Sequence, residues 1–258
     1  MNLSLSGRRA IVCGSTSGIG RACAQLLAER GASVVLAARD EEKLISTVNS
    51  LDGDDHSYIC ADFNDPDNLR LKTIDHINKT GVIHILMNNS GGPPGGPLIE
   101  ANPDEFEIAF KRHVISSHIL TQAVVPGMKE KGYGRIINII STSVNQVIPG
   151  LGVSNTIRGA VAQWVKTLAI ELGSYGITAN NVLPGYINTD RLKNLLEKSA
   201  KDKNITYDQM VTETEKKTSL GRIGLPTEIA SAVAFIASEA GGYISGTNFS
   251  VDGGRFGI

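Results

Sequence analysis

Ala10-Ile11-Val12-Cys13-Gly14-Ser15-Thr16-Ser17-Gly18-Ile19-Gly20 decides how this chain folds. A compact apolar run ends at a glycine and a short polar turn follows. Ile19, Cys23, Leu26, Leu27 and Arg30 then recur at helical spacing. The pattern predicts a strand, a tight turn and a helix. In open α/β sheets ligands bind beyond the carboxyl ends of the strands. A helix N-terminus there offers free N–H groups and the positive end of its dipole. Gly14, Gly18 and Gly20 let the backbone come close to a phosphate, and Ser15, Thr16 and Ser17 add hydroxyl donors, with Ile19 completing the loop. A glycine triplet means little alone but much on a strand–turn–helix.

Outward from that turn, the same alternation continues. Ser33–Ala37, Tyr58–Ala61, Ile83–Met87, Arg135–Ile140, Ile177–Val182 and Thr247–Val251 read as further strands. Several are apolar on both faces, as in a parallel sheet covered by helices on each side. Helical patterns fill the gaps. Asn102-Pro103-Asp104-Glu105 supplies a cap, a first-position proline and early acids for a helix reaching about Val125. Ser154–Leu172 carries an apolar stripe, and Pro226-Thr227-Glu228 opens another helix running to about Ser238. The expectation is one doubly wound, Rossmann-type α/β domain over residues 1–258, with about seven parallel strands. Residues 190–218 break the alternation, being polar and rich in Lys and Glu. They read as a mobile helical insertion, either a solvated excursion or a substrate lid.

Composition narrows the function. Lys+Arg 25 against Asp+Glu 26 leaves no basic excess to hold a nucleic-acid backbone. No apolar run is long enough to span a membrane, and the N-terminus has no signal-like core. Cys13, Cys23 and Cys60 stand in or beside apolar segments at no metal-like spacing, which predicts buried free thiols and a reducing, cytoplasmic setting. The five histidines are scattered, so no metal site is expected.

The spacing Gly14-x3-Gly18-x-Gly20 resembles that of the short-chain dehydrogenase/reductase family, and the resemblance runs along the whole chain. Asp62-Phe63 falls where that family contacts adenine. Asn88-Asn89-Ser90-Gly91 is similar to its Asn-Asn-Ala-Gly. Ser141 follows the fifth strand. Pro184-Gly185, with Ile187 and Thr189 just after, falls where the family grips the nicotinamide. Ser245-Gly246 through Val251-Asp252-Gly253-Gly254 matches its last strand. The general look is that of the 3-oxoacyl-acyl-carrier-protein reductases. The resemblance implies a nicotinamide cofactor, a small-molecule or acyl-thioester substrate, and a homotetramer or homodimer built partly on the two long helices.

The second strand ends Ala37-Ala38-Arg39-Asp40. An NAD site places a carboxylate at that strand end for the ribose 2′-OH. Alignment puts Ala38 there, and Arg39 next to it offers a guanidinium for a 2′-phosphate. NADP(H) is therefore the expected cofactor, and Asp40 is left to cap the following helix.

The catalytic pattern departs from the family. Its Tyr position is Ser154, its Lys position Arg158 and its Asn position His113; only Ser141 is kept. A serine hydroxyl is a far weaker acid than a phenol of pKa about 10. Arginine, with pKa above about 12, stays charged and does not shuttle protons, yet it can hydrogen-bond the cofactor's ribose hydroxyls and stabilise an oxyanion. His113, with an ordinary pKa of about 6.5, can relay protons, or it is a satisfied buried histidine. Tyr186 offers a phenol from another direction. Three readings follow. The protein reduces a carbonyl such as a 3-oxoacyl thioester with a rearranged proton supply, or it is a cofactor-binding pseudoenzyme acting as sensor or partner subunit. The third is that it reduces an activated alkene, which needs no Tyr-like acid.

Overall fold

In the computed structural model, which describes residues 2–255, seven parallel strands form one sheet in the order β3-β2-β1-β4-β5-β6-β7. They are β1 (Arg9–Cys13), β2 (Ser33–Ala38), β3 (Ser57–Cys60), β4 (Ile85–Asn88), β5 (Gly134–Ile139), β6 (Ile177–Pro184) and β7 (Asn248–Val251). All seven expected strands form, with ends shifted by one or two residues. Strand alternation builds two cores at once. Val12, Leu36, Met87 and Ile137 face one side, with Cys23 and Leu27 of α1 (Gly18–Glu29) and Val233 of α9 (Pro226–Ala237). Their neighbours Ile11, Val35, Leu86 and Ile136 face the other side. There they meet Leu69 of α3 (Pro66–Thr80), Leu120 of α5 (Ser116–Lys131) and Val161 and Val165 of α6 (Gly152–Leu172). Each aliphatic side chain buried in this way contributes about 1.5–3 kcal/mol.

Local chemistry places the helix ends. Asp40 caps α2 (Glu41–Val48) by accepting from the Lys43 N–H at 3.1 Å, the role expected of it. Asn102 caps α4 (Pro103–Phe110), whose first position is a proline. The helix expected to reach Val125 instead runs through to Lys131, and Lys111–Ile115 within it is a π-helical turn. Such single-turn bulges recur at functional sites; here the bulge carries His113. Residues 190–218 form two helices, α7 (Asp190–Lys203) and α8 (Tyr207–Glu215), with a small core of Leu196, Ala200 and Met210. Cys13 and Cys23 are buried free thiols as expected, but Cys60, at the end of β3, is only half-buried. Among the described residues no helix is long and apolar enough to cross a membrane, and no acidic, His or Cys cluster fits a metal.

Candidate active site

The strand order reverses between β1 and β4, since β1 pairs with β2 on one side and β4 on the other. That switch point opens a crevice at the carboxyl ends of the strands. The glycine loop follows β1 into it, and Asn88-Asn89-Ser90 leads from β4 into it. Asn89 clasps the two, its Nδ2 donating to the carbonyls of Cys13 (3.3 Å) and Gly14 (3.4 Å). The loop's glycine positions have no room for side chains. A Cβ on Gly20 would sit 2.0 Å from the Gly14 carbonyl oxygen, and Gly18 holds φ +51° with Thr189 against it. Ser17 makes no side-chain cap on α1. The first N–H groups of that helix are thus left for a ligand. Ser15 Oγ is buried there without a partner. These features fit a pyrophosphate. Arg39 is exposed just past β2 and forms no ion pair among the described residues, Asp40 being paired with Lys43 at 2.8 Å. A free guanidinium beside Ala38 fits a 2′-phosphate. Asp62 is exposed past β3, turned into a local bend by accepting from Asn64 N–H, and Phe63 packs partly into the core. Gly91 is exposed at the start of the loop after β4. On the far side Pro184 and Gly185 end β6, Ile187 is buried, and Thr189 caps α7 through the Leu192 N–H at 3.3 Å.

Beyond the strand ends stand the residues that the resemblance assigns to the family's catalytic positions. Ser141 follows β5, its Oγ accepting from the Ser143 N–H at 3.1 Å. Ser154 and Arg158 are buried on α6 one turn apart, so they share a face. Arg158 donates to the Ile139 carbonyl at 3.1 Å, which anchors it two residues before Ser141. Burial, then the nearby Arg191, lowers its pKa to about 10, so it remains charged at neutral pH. His113 is buried with Nδ1 2.7 Å from Ser90 Oγ, and its Nε2 has no partner. Burial, then Arg158, Arg112 and Arg191, pushes the imidazole pKa down to about 2. It is a neutral ring at physiological pH, without an imidazolium proton to give. A small cavity lies between Arg158, His113, Ser90, Asn88 and Asn138, with room for about one water molecule. Tyr186 is half-buried past β6 under Arg255, whose guanidinium stacks 3.9 Å above its ring.

Three contributors escaped the sequence reading. Ser90 holds the His113 ring; its signal was a hydroxyl where the family has alanine. Arg112 donates to Asn64 Oδ1 at 2.6 Å beside the adenine end. Arg191 reaches from α7 to the carbonyls of Gly92 (3.1 Å) and Pro93 (3.3 Å), tying the 190–218 segment to the loop after β4. Nothing in the sequence pairs residues a hundred positions apart.

A switch-point crevice with a glycine-lined helix start, a strand-end cation and a buried Ser/Arg pair defines a dinucleotide-dependent class of α/β protein. The chain belongs to the short-chain dehydrogenase/reductase family; a family model described as enoyl-(acyl carrier protein) reductase matches residues 14–255. It is 34% identical over 256 residues to the 3-oxoacyl-[acyl-carrier-protein] reductase FabG of Vibrio cholerae, covering 98% of this chain and 99% of that one. The L-sorbose reductase of Gluconobacter frateurii, solved with NADPH and L-sorbose, superposes with a TM-score of 0.92 at 27% identity, each chain covered completely. A gluconate 5-dehydrogenase of Burkholderia cenocepacia, solved with NADP and tartrate, gives 0.89 at 30% identity, covering 100% of this chain and 98% of that one.

Proposed function

We propose that this protein is an NADPH-dependent reductase that adds hydride to a polarised substrate and holds the resulting oxyanion with a fixed cation. The observation that carries it is Arg158, buried, charged and anchored at the position where the family has a lysine. The glycine loop with Ser15, Thr16, Ser17 and Ile19 would hold the pyrophosphate, and Arg39 the 2′-phosphate. Asp62, Phe63, Asn89 and Gly91 would line the adenosine side, and Pro184, Gly185, Ile187 and Thr189 the nicotinamide. NADPH, when bound, supplies the hydride. Ser141 and Ser154 donate hydrogen bonds to the substrate oxygen. Arg158 offsets the negative charge that develops there, and preorganised charge of this kind is a large contributor to rate. The proton comes from water, because His113 is neutral and serine is too weak an acid. Residues 190–218 serve as the lid.

The lack of a phenol-like acid beside Arg158 favours a second substrate form, an activated alkene. Hydride addition to its β-carbon leaves an enolate, which Arg158 stabilises equally well and water protonates at carbon. The family model's description as an enoyl reductase points the same way.

The test is a fluorescence titration with NADPH beside NADH, followed by NADPH oxidation with matched ketones and enones. Tight NADPH binding that weakens by about tenfold or more in Arg39→Ala, with NADH little changed, is expected. Turnover of the enone but not its ketone selects the second form. NADPH binding with no turnover of either would leave a pseudoenzyme.

A further inference from the structure

Arg8, Arg9, Arg135 and Arg222 each have a carboxylate oxygen at 3.9 Å or closer. Among the described residues Arg112, Arg158 and Arg191 have none; their partners are a side-chain amide and backbone carbonyls, all neutral. No acidic side chain lines the cavity beside Arg158. The phosphates of a bound nucleotide belong at the glycine loop and Arg39, and the ribose that the family's lysine position meets is uncharged. Arg158 is buried with only neutral partners, a costly arrangement unless a ligand brings the counter-charge, and Arg191 stands near it exposed and open to such a ligand.

Arg158 is assigned to the reacting oxygen. Arg191 is left over, and its placement is otherwise unfavourable. It sits in the first turn of α7, where the helix dipole disfavours a cation. Two of its nitrogens donate to Gly92 and Pro93, which fixes the planar fork against the loop after β4. A guanidinium has five N–H donors, so others stay available for a bidentate partner. The His113 Nε2, without a partner among the described residues, lies at the cavity beside Arg158 that has room for about one water molecule.

We infer that the substrate carries a free carboxylate, held by Arg191 while its reacting oxygen lies at Ser141, Ser154 and Arg158. It is an oxo acid or unsaturated analogue, not a carrier-bound thioester, whose acyl end bears no charge. This inference rests on the reductase reading for the position of the reacting oxygen. A single guanidinium with part of its fork already occupied suits a singly charged planar carboxylate better than a phosphate.

Calorimetric titration decides it. Pyruvate, acetoacetate and levulinate, each beside its methyl ester, and dihydroxyacetone phosphate are titrated into the protein, free and saturated with NADP+. At least one acid is expected to bind about tenfold or more tighter than its ester. Arg191→Gln brings that ratio near one, and Arg191→Lys restores part of it. Ratios near one in the wild type overturn the proposal, as does tighter binding of the phosphate than of any acid. Equal weakening of acid and ester in Arg191→Gln also overturns it, because a mere strap between lid and loop acts on both alike. Failure of NADP+ to bind refutes the reductase reading, while the acid-to-ester ratio on the free protein still tests the carboxylate site.

Discussion

The Ser90 hydroxyl lies 2.7 Å from Nδ1 of His113, joining the loop after β4 to the π-helical turn between α4 and α5. Two departures from the family pattern thus meet in one hydrogen bond. By the family resemblance, a serine stands at the place of the small alanine, and a histidine at the place of the asparagine.

That buried ring makes stability depend on pH. Its folded pKa of about 2 lies below the unfolded value of about 6.5. Between these values the unfolded chain binds more protons, so stability falls as pH drops below about 6.5 and is level above it. The expected loss from this group is about 1 kcal/mol per pH unit. Urea unfolding at about pH 7.5 and pH 5.5 should show it. His113→Asn should remove that share of the slope; an unchanged slope would mean the ring is solvated.

Arg158 keeps its charge up to about pH 10. The reductase reading therefore expects kcat to be nearly level from about pH 6 to 9 and to fall as pH rises toward the Arg158 value. Arg158→Gln should lower kcat by about 10²–10³ with NADPH affinity less affected, and Arg158→Lys should keep much of the activity. A limb near neutral pH, or full activity in Arg158→Gln, would show that another group handles the oxyanion.

Gly20→Ala places a methyl group 2.0 Å from the Gly14 carbonyl oxygen. The loop must spread to admit it, which separates β1 from α1. Nucleotide binding should be lost and the melting temperature lowered by several degrees, as expected for about 1–3 kcal/mol of overpacking. Unaltered NADPH affinity would mean the loop tolerates opening and does not cradle the pyrophosphate.

At the other end of the sheet, Tyr133 is clamped between Arg8 and Arg135, whose guanidinium carbons lie 3.7 and 4.1 Å from the ring centre. Its hydroxyl donates to the Ala237 carbonyl at 2.7 Å. Tyr133→Phe should cost about 1–2 kcal/mol by orphaning that carbonyl. Tyr133→Leu should cost more, because it also strips the stacking from buried Arg135. Both are read by denaturant midpoints, with nucleotide binding unchanged because the crevice is at the opposite end. Equal losses would place the whole effect in the hydroxyl.

The sheet was legible because its information is local. A parallel strand buried on both faces is a run of apolar residues, and helix starts carry their own caps, as Asp40 and Asn102 do. The glycine loop was legible for the same reason, since its conformation is set within seven consecutive residues. Register along α6 placed Ser154 and Arg158 one turn apart before any coordinates. What those residues do was less legible. A histidine in a sequence is a titratable group, whereas His113 in the fold is a buried neutral ring, because desolvation by α5, α6 and the loop after β4 outweighs its intrinsic basicity.

By itself, the order of apolar runs, glycines and caps determined a doubly wound α/β domain with a glycine turn after its first strand, and the departures at Ser154, Arg158 and His113 were visible only through the resemblance to the family. Only the tertiary structure decided that Ser90 meets His113, that Arg158 is anchored on Ile139, and that Arg191 crosses from α7 to Gly92 and Pro93. Secondary structure follows from periodicity over a few residues. The charge state and partners of a side chain follow from what burial brings around it, and for Arg191 those neighbours are ninety-nine and ninety-eight residues away along the chain.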